Sequence, residues 1–193
     1  MKVLVLDNYD SFTWNLVDAL ESAGGVCTVR RSDRITVQDI AVLRPGRIVI
    51  SPGPFGPAQT GVCPDAVRTF AGDIPILGVC LGMQVIAEAA GAIVQPSGHP
   101  VHGRASEIHH DNRGWLHGLP NPFRGGRYHS LIVDPASASP ALEVSAWTPG
   151  GQIMGCRMRG RAVEGVLFHP ESFLTEHGAR IFENFLKAPV HVV

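Results

Sequence analysis

A cysteine between two glycines, placed where an apolar strand gives way to a helix, is the feature that most constrains this chain. Residues 74–77 predict a short buried strand, and residues 83–90 predict a helix. Between them, Gly78-Val79-Cys80-Leu81-Gly82 has the pattern of a nucleophile elbow, a tight turn that presents a reactive side chain. The helix N-terminus favours an anion there, which is the reactive form of a thiol. A lone cysteine is more often a small buried hydrophobe, so the elbow alone leaves both interpretations open.

The order of the predicted elements indicates how this elbow is embedded. Apolar runs at residues 2–6, 26–29 and 47–50 predict strands that are buried on both faces, as in a parallel sheet. A helix with apolar positions at helical spacing lies between the first two runs. Alternation of strands and helices is typical of a doubly wound α/β fold with parallel crossovers. We therefore expect one α/β domain over residues 1–193, built on a mostly parallel sheet.

The second half of the chain has a different pattern. Closely spaced strands are predicted at residues 128–133, 142–147 and 152–158, which indicates a small antiparallel addition to the main sheet. Residues 98–126 lack apolar periodicity and are predicted to be irregular, and His109-His110-Asp111 within them is interpreted as a solvated loop rather than a metal site. Residues 173–187 predict a last helix, with Phe173 in the core.

Composition excludes several classes of function. The 193 residues are 45% hydrophobic with a formal charge of −1 and no basic block, which argues against a nucleic-acid partner. No apolar run approaches the length of a membrane span, so no membrane partner is expected, and the N-terminal apolar run is too short for a secretion signal. The four cysteines are scattered without a CxxC pair, which predicts free thiols in a reducing cytoplasm.

Three distant side chains are predicted to meet at one edge of the sheet. His169 ends a predicted strand, and Glu171 two residues later can orient its ring. Because the carboxyl ends of parallel strands share an edge, Cys80 is expected beside them as the nucleophile of a Cys-His-Glu triad. The loop around Gly53 follows the third strand at the same edge, so its N–H and that of Leu81 predict an oxyanion hole.

Four short motifs then identify a family. Ser51-Pro52-Gly53-Pro54, Gly78-Val79-Cys80-Leu81-Gly82-Met83-Gln84, Tyr128-His129-Ser130-Leu131 and Phe168-His169-Pro170-Glu171-Ser172 resemble the motifs of the class I (triad-type) glutamine amidotransferases. The segment Asp7-Asn8-Tyr9-Asp10-Ser11-Phe12-Thr13 resembles one branch of that family, component II of anthranilate synthase and aminodeoxychorismate synthase. The resemblance extends over nearly the whole chain.

The resemblance implies a flavodoxin-like fold that hydrolyses L-glutamine to glutamate and ammonia. It implies a thioester on Cys80, proton transfer by His169, orientation of that ring by Glu171, and an oxyanion held by the N–H groups of Gly53 and Leu81. The ammonia would pass to a chorismate-using synthase subunit (component I) in a heteromeric complex.

The same resemblance assigns the substrate's α-amino and carboxylate groups to Gln84, Ser130 and Leu131. It implies neither a metal nor an organic cofactor in this chain, and Mg²⁺ in the synthase partner.

A few positions depart from the branch pattern, and they leave the acceptor of the ammonia open. Phe55 stands where a glycine is usual, Met83 where a histidine is usual, Leu167 where a glutamine is usual, and Val101-His102-Gly103-Arg104 replaces Met-His-Gly-Lys. One alternative is an amidotransferase for another acceptor, such as an aminodeoxyisochorismate or histidine-pathway synthase. The other is a catalytically silent regulatory module, which the complete triad argues against.

Overall fold

Nine strands form one mixed sheet in the computed structural model, which describes residues 1–137 and 139–189. Residues 138 and 190–193, which belong to the predicted domain of 1–193, lie outside the described residues. The strands are β1 (Lys2–Asp7), β2 (Val26–Arg31), β3 (Arg47–Ile50), β4 (Ile76–Val79), β5 (Val94–His110), β6 (Phe123–Val133), β7 (Leu142–Trp147), β8 (Ile153–Met158) and β9 (Val163–Val166).

The sheet has a parallel half and an antiparallel half. The strand order is β2-β1-β3-β4-β9-β8-β7-β5-β6. The first five strands are parallel, and every pair from β9 onward is antiparallel. The α/β fold class with a mostly parallel main sheet and an antiparallel addition is therefore confirmed.

Helices cover both faces of the parallel half, as the continuous apolar strands predict. In β1, Val3 and Val5 pack into a core with residues of the first and last helices, whereas Leu4 and Leu6 pack with residues of the second and third. This arrangement buries both faces of the central strands. None of the described helices is both long and apolar enough to cross a membrane. The helices are α1 (Thr13–Ser22), α2 (Val37–Leu43), α3 (Cys63–Phe70), α4 (Leu81–Ala89) and α5 (Gly178–Lys187).

The prediction of an irregular segment at residues 98–126 is wrong over most of its length. The strand β5 continues to His110, and β6 already begins at Phe123. The pairing of β5 with β6 shifts register twice, and most of β5 is exposed or only half-buried. A ribbon of this kind has no alternating apolar face, so its sequence carries no period-2 signal. Buried His110 accepts a hydrogen bond from Asn112 N–H at 3.1 Å, so the solvated-loop interpretation is also wrong there.

The last helix begins later than predicted. It starts at Gly178, and Phe173, which the sequence placed in the core, is 92% exposed. The intervening residues form turns instead, with the Thr175 N–H donating to the Ser172 carbonyl and the Glu176 N–H donating to Arg124 on β6. These bonds fix the segment after β9 against the antiparallel half of the sheet.

A buried ion cluster joins β8 to β9. Arg157 lies opposite Glu164 in the strand pairing, and its guanidinium donates to the Glu164 carboxylate at 3.0 Å and to both oxygens of Asp111. The Glu164 carboxylate also accepts the Trp115 N–H at 3.0 Å. Burial raises the pKa of Glu164, although Arg157 opposes that shift. The carboxylate therefore depends on this cation for its charged form.

Replacing Arg157 with Leu should destabilise the fold strongly, because two carboxylates then lose their cation inside the protein. We expect the free energy of unfolding at pH 7 to fall by about 3–5 kcal/mol in urea denaturation. The loss should shrink as the pH falls toward 5, since Glu164 takes up a proton more readily than an exposed carboxyl. The control is Arg68→Leu, which breaks the exposed pair with Asp65 and should cost at most about 1 kcal/mol. Equal losses in the two variants would contradict this role.

Candidate active site

The elbow after β4 holds Cys80 in a strained backbone conformation. Its φ is +52°, a region that non-glycine residues rarely adopt. The Cys80 N–H donates to the Val166 carbonyl of β9 at 2.8 Å. A Cβ placed on Gly82 would lie 2.3 Å from the Ile50 carbonyl oxygen, so only glycine lets the first turn of α4 pack this closely on β3. The strain at Cys80 is thus maintained by close packing on both sides.

A second close approach brings α4 over β9. A Cβ on Gly165 would lie 2.6 Å from the Cα of Met83. The helix therefore rests directly on the strand whose carboxyl end leads to His169. This contact connects the nucleophile, on one parallel strand, with the residues that follow its neighbour.

His169 and Glu171 form a buried pair. The His169 Nδ1 lies 2.7 Å from Glu171 Oε1, and the two side chains are 2% and 0% exposed. Since a carboxylate only accepts, Nδ1 carries the proton of this bond. The Nε2 atom of His169 has no hydrogen-bond partner among the described residues. Its ring is thus oriented from one side and left unpaired on the other.

Aromatic rings and the backbone fix the imidazole in place. The rings of Phe12 and Tyr128 lie 5.0 and 4.9 Å from the His169 ring, centroid to centroid. The His169 N–H donates to the Gly126 carbonyl at 2.9 Å, and the Tyr128 hydroxyl lies 3.0 Å from Ser172 Oγ. Phe12 is half-buried because its ring packs against Tyr128 and His169.

The electrostatic surroundings favour a protonated imidazole. Burial lowers the pKa of His169. Cys80 and the Glu171 carboxylate raise it by more than burial lowers it, so that the pKa reaches about 10. The influence of Cys80 shows that the sulfur is close to the ring. At neutral pH His169 therefore holds a proton beside the Cys80 sulfur.

One cavity of ≈ 440 Å³ contains none of the predicted site residues. A second cavity, of ≈ 390 Å³, opens onto Cys80. Six of the eight predicted site residues line this second cavity, which we call the Cys80 cavity. The remaining two, His169 and Glu171, have buried side chains, and His169 lies beside Cys80. The lining residues are Gly53, Pro54, Phe55, Gly56, Gln59, Cys80, Leu81, Gln84, His102, Tyr128, His129, Ser130 and Leu131.

One hydrogen bond connects the two walls of the Cys80 cavity, and another lies within the antiparallel wall. The Gln84 side-chain amide on α4 donates to the Leu131 carbonyl on β6 at 3.3 Å. Ser130 Oγ lies 3.3 Å from His102 Nε2 on β5. The antiparallel strands therefore face the helix that begins at the nucleophile.

The loop that carries Gly53 is fixed by a residue to which the sequence gave no role in the site. A Cβ on Gly53 would lie 2.6 Å from Leu81 Cδ2 and 2.8 Å from Asn8 Cβ, so the two residues of the predicted oxyanion hole are neighbours. The Asn8 N–H donates to Ser51 Oγ at 2.9 Å, and its side-chain amide donates to the Ser51 carbonyl at 3.1 Å. Asn8 thus ties the loop after β1 to the loop after β3.

Sequence reasoning also gave no role to Tyr128, His129 and His102, which line the Cys80 cavity. Tyr128 and His129 belong to a motif that was recognised, so their position in it was the available signal. His102 lies on the irregular strand β5, and no periodicity placed it near Cys80.

Comparisons with known proteins show which family the chain belongs to. The family model described as glutamine amidotransferase class-I matches residues 4–188. Aminodeoxychorismate synthase component 2 of Escherichia coli is 47% identical over 184 residues, which cover 95% of this chain and 98% of that protein. Anthranilate synthase component 2 of Pseudomonas putida is 46% identical over 192 residues, 97% of each chain.

A bifunctional relative and a solved structure complete the comparison. The aminodeoxychorismate/anthranilate synthase component 2 of Bacillus subtilis is 44% identical over 185 residues, 96% of this chain and 95% of that protein. The crystal structure of a putative GMP synthase subunit from Thermoplasma acidophilum has a TM-score of 0.86 at 24% identity, covering 96% of this chain and 92% of that one. That likeness shows the fold. Because the family model spans nearly the whole chain, this protein belongs to the class-I glutamine amidotransferases.

Proposed function

We propose that this chain is the glutaminase subunit of a chorismate-aminating synthase, with Cys80 as its nucleophile. The observation that carries the proposal is the Cys80 cavity itself, in which a strained cysteine adjoins the buried His169–Glu171 pair. A silent regulatory module has no need of a strained nucleophile beside a buried acid–base pair.

The first chemical step is attack on the side-chain amide of glutamine. The Cys80 thiolate forms a bond to the amide carbon, and the carbonyl oxygen becomes an oxyanion. The N–H groups of Gly53 and Leu81 hold that oxyanion, and each donor of this kind is worth about 3–4 kcal/mol in the transition state. Leu81 is suited to this role because it opens α4, where backbone N–H groups lack a partner within the helix.

The proton on His169 completes both half-reactions. The imidazolium gives its Nε2 proton to the departing ammonia, which leaves a γ-glutamyl thioester on Cys80. The neutral ring then takes a proton from water, the resulting hydroxide attacks the thioester, and glutamate leaves. Glu171 keeps the Nδ1 proton in place and stabilises the imidazolium in each step.

The other end of glutamine is held where α4 meets the opposite wall of the Cys80 cavity. We assign the α-amino and carboxylate groups to Gln84, Ser130 and the backbone of Leu131. The chemistry of these groups fits, because an amide, a hydroxyl and backbone atoms supply both donors and acceptors.

The ammonia must be passed on under cover, because free ammonia in water becomes ammonium, which is not nucleophilic. Exposed aromatic side chains lie on loops that follow strands of the parallel half, at the edge of the sheet that carries Cys80: Tyr9 and Phe55 at 48% and Phe173 at 92%. Aromatic residues are enriched in the buried centres of protein interfaces. We propose that this aromatic rim (Tyr9, Phe55, Phe173) docks the synthase subunit.

The identity of that partner follows from the relatives, which are components of aminodeoxychorismate and anthranilate synthases. The partner holds chorismate and any Mg²⁺, and it decides which aminated product forms. The four cysteines are unpaired, which suits the cytoplasm as the place of this reaction.

Cys80→Ala should abolish glutamate release from glutamine, with a loss of at least about 10⁴-fold because the nucleophile is gone. Synthesis by the partner from added ammonium should survive in the same complex. Cys27→Ala is the matched control, since Cys27 lies on β2 outside the Cys80 cavity, and it should keep both activities. Glutamine-dependent synthesis that persists in Cys80→Ala would refute the mechanism.

Glu171→Gln should lower kcat by about 10²–10⁴-fold, as expected for removal of the carboxylate that orients a catalytic histidine. It should also move the alkaline limb of the pH–rate profile to lower pH. The sign follows because Glu171 raises the pKa of His169, and the protonated ring is the acid that the leaving ammonia needs. The control is Glu183→Gln on the exposed face of α5. An alkaline limb that stays in place would contradict the role of Glu171.

Phe173→Ser should weaken binding of the synthase subunit by about tenfold or more, measured by titration calorimetry, because the loss of a buried aromatic anchor costs at least about 1.4 kcal/mol. Val42→Ser is the control, since Val42 is 80% exposed on α2, away from the aromatic rim. Equal affinities for the two variants would remove Phe173 from the interface.

A further inference from the structure

We propose that Arg127 and His129 are positioning residues that hold the Leu131 carbonyl, and through it the Gln84 side chain, in the geometry that binds glutamine. The proposal rests on the proposed function, because it concerns the cavity wall that holds the substrate's α-substituents. Neither residue needs to touch the reacting atoms.

A continuous chain of hydrogen bonds carries the inference. Arg127 Nε lies 3.2 Å from His129 Nε2, and His129 Nδ1 lies 3.1 Å from the Leu131 carbonyl oxygen. The same oxygen accepts the side-chain amide of Gln84 at 3.3 Å. A carbonyl oxygen has two lone pairs, so His129 and Gln84 together occupy both.

The two partners of His129 determine its tautomer. The Leu131 carbonyl only accepts, so Nδ1 must carry a proton. The arginine guanidinium only donates, so Nε2 must present a lone pair. The chain of bonds therefore exists only while His129 is neutral with its proton on Nδ1. A second proton would set an N–H of the ring against an N–H of Arg127.

Arg127 is held by neutral groups. Its guanidinium donates to Ser106 Oγ at 3.1 Å, to the Gln152 side-chain oxygen and to His129. Burial lowers the pKa of Arg127, and no carboxylate among the described residues offsets that shift. Its positive charge is thus uncompensated and acts directly on the neighbouring imidazole.

This environment keeps His129 neutral. Burial lowers its pKa, and the charge of Arg127 lowers it further. The carbonyl of Leu131 raises it, whereas His169 and His102 lower it, and the pKa of His129 falls to about 4. His102 on β5 and His169 after β9 are the other titratable groups that act on it. A histidine with a depressed pKa stays neutral as the pH falls through the ordinary histidine range. The Leu131 carbonyl therefore keeps its hydrogen bond from His129 between about pH 5 and 8.

The first test uses the unmodified full-length chain. Nitrogen-15 NMR of the histidine rings, with His129 identified by the signal that His129→Asn removes, reports tautomer and protonation directly. We expect the Nδ1–H tautomer without titration between pH 5 and 8. Titration of this ring near pH 6.5, or a proton on Nε2, would overturn the proposal. This readout does not involve catalysis, so it stands whether or not the chain hydrolyses glutamine.

The second test measures glutamine binding by calorimetry in the Cys80→Ala background, in which no turnover occurs. The asparagine amide nitrogen sits near the Nδ1 position and the glutamine amide nitrogen near the Nε2 position, so only His129→Asn can still donate to Leu131. We expect His129→Asn to keep the Kd within about threefold, and His129→Gln to raise it about tenfold, as the loss of one hydrogen bond predicts. Equal effects would refute the positioning role. Absence of binding by the parent Cys80→Ala chain would count against the proposed function instead.

Arg127→Gln provides the pH signature that a merely structural residue would not produce. Without the neighbouring charge, the pKa of His129 should rise, while its burial still keeps that pKa below 6.5. Glutamine binding should then weaken at least about threefold between pH 7.5 and 5, while the parent chain stays flat over the same range. A flat profile in Arg127→Gln would show that the charge of Arg127 has no part in holding the cavity wall.

Discussion

The direct packing of α4 on the sheet is the constraint on which the site depends. Backbone meets backbone at Gly82 and Gly165, so the helix cannot rise or slide without losing contact with β3 and β9. That contact holds Cys80 at φ +52° and places its sulfur beside the ring of His169. The strain is a local cost, which the surrounding packing offsets because both neighbouring strands are buried in the core.

The two halves of the sheet contribute different residues to the site. The parallel half supplies Cys80, the Gly53 loop and His169, which all follow parallel strands. The antiparallel half supplies the wall opposite them, through Ser130, Leu131 and their neighbours on β6. The fold therefore brings a nucleophile and a binding surface together from elements that are formed by different kinds of strand pairing.

Buried charge is used in two ways along β9. Near the start of this strand, Glu164 is matched by Arg157, which Asp111 also binds, so the ions satisfy one another. Beyond its end, His169 is bound at Nδ1 only, and Nε2 has no partner among the described residues. An unsatisfied buried polar atom is costly, and in the mechanism that we propose it is the atom that transfers the proton. The first cluster contributes to stability, and the second leaves the Nε2 atom of His169 available to a ligand.

The sequence by itself determined the class of fold, the elbow and the triad, because strand–helix alternation and the glycines around Cys80 are local signals that a wound sheet translates into one shared edge. It also located the residues that line the Cys80 cavity wherever a motif named them. It failed at β5 and at the start of α5, since an exposed ribbon has no periodicity and Phe173 matches a helical pattern that its neighbours do not complete. Only the tertiary structure decided that Asn8 fixes the Gly53 loop and that Phe12 packs on His169. It alone also decided that His129 joins Arg127 to the Leu131 carbonyl. The physical reason is that these contacts join residues whose spacing in the chain carries no information about their distance in space.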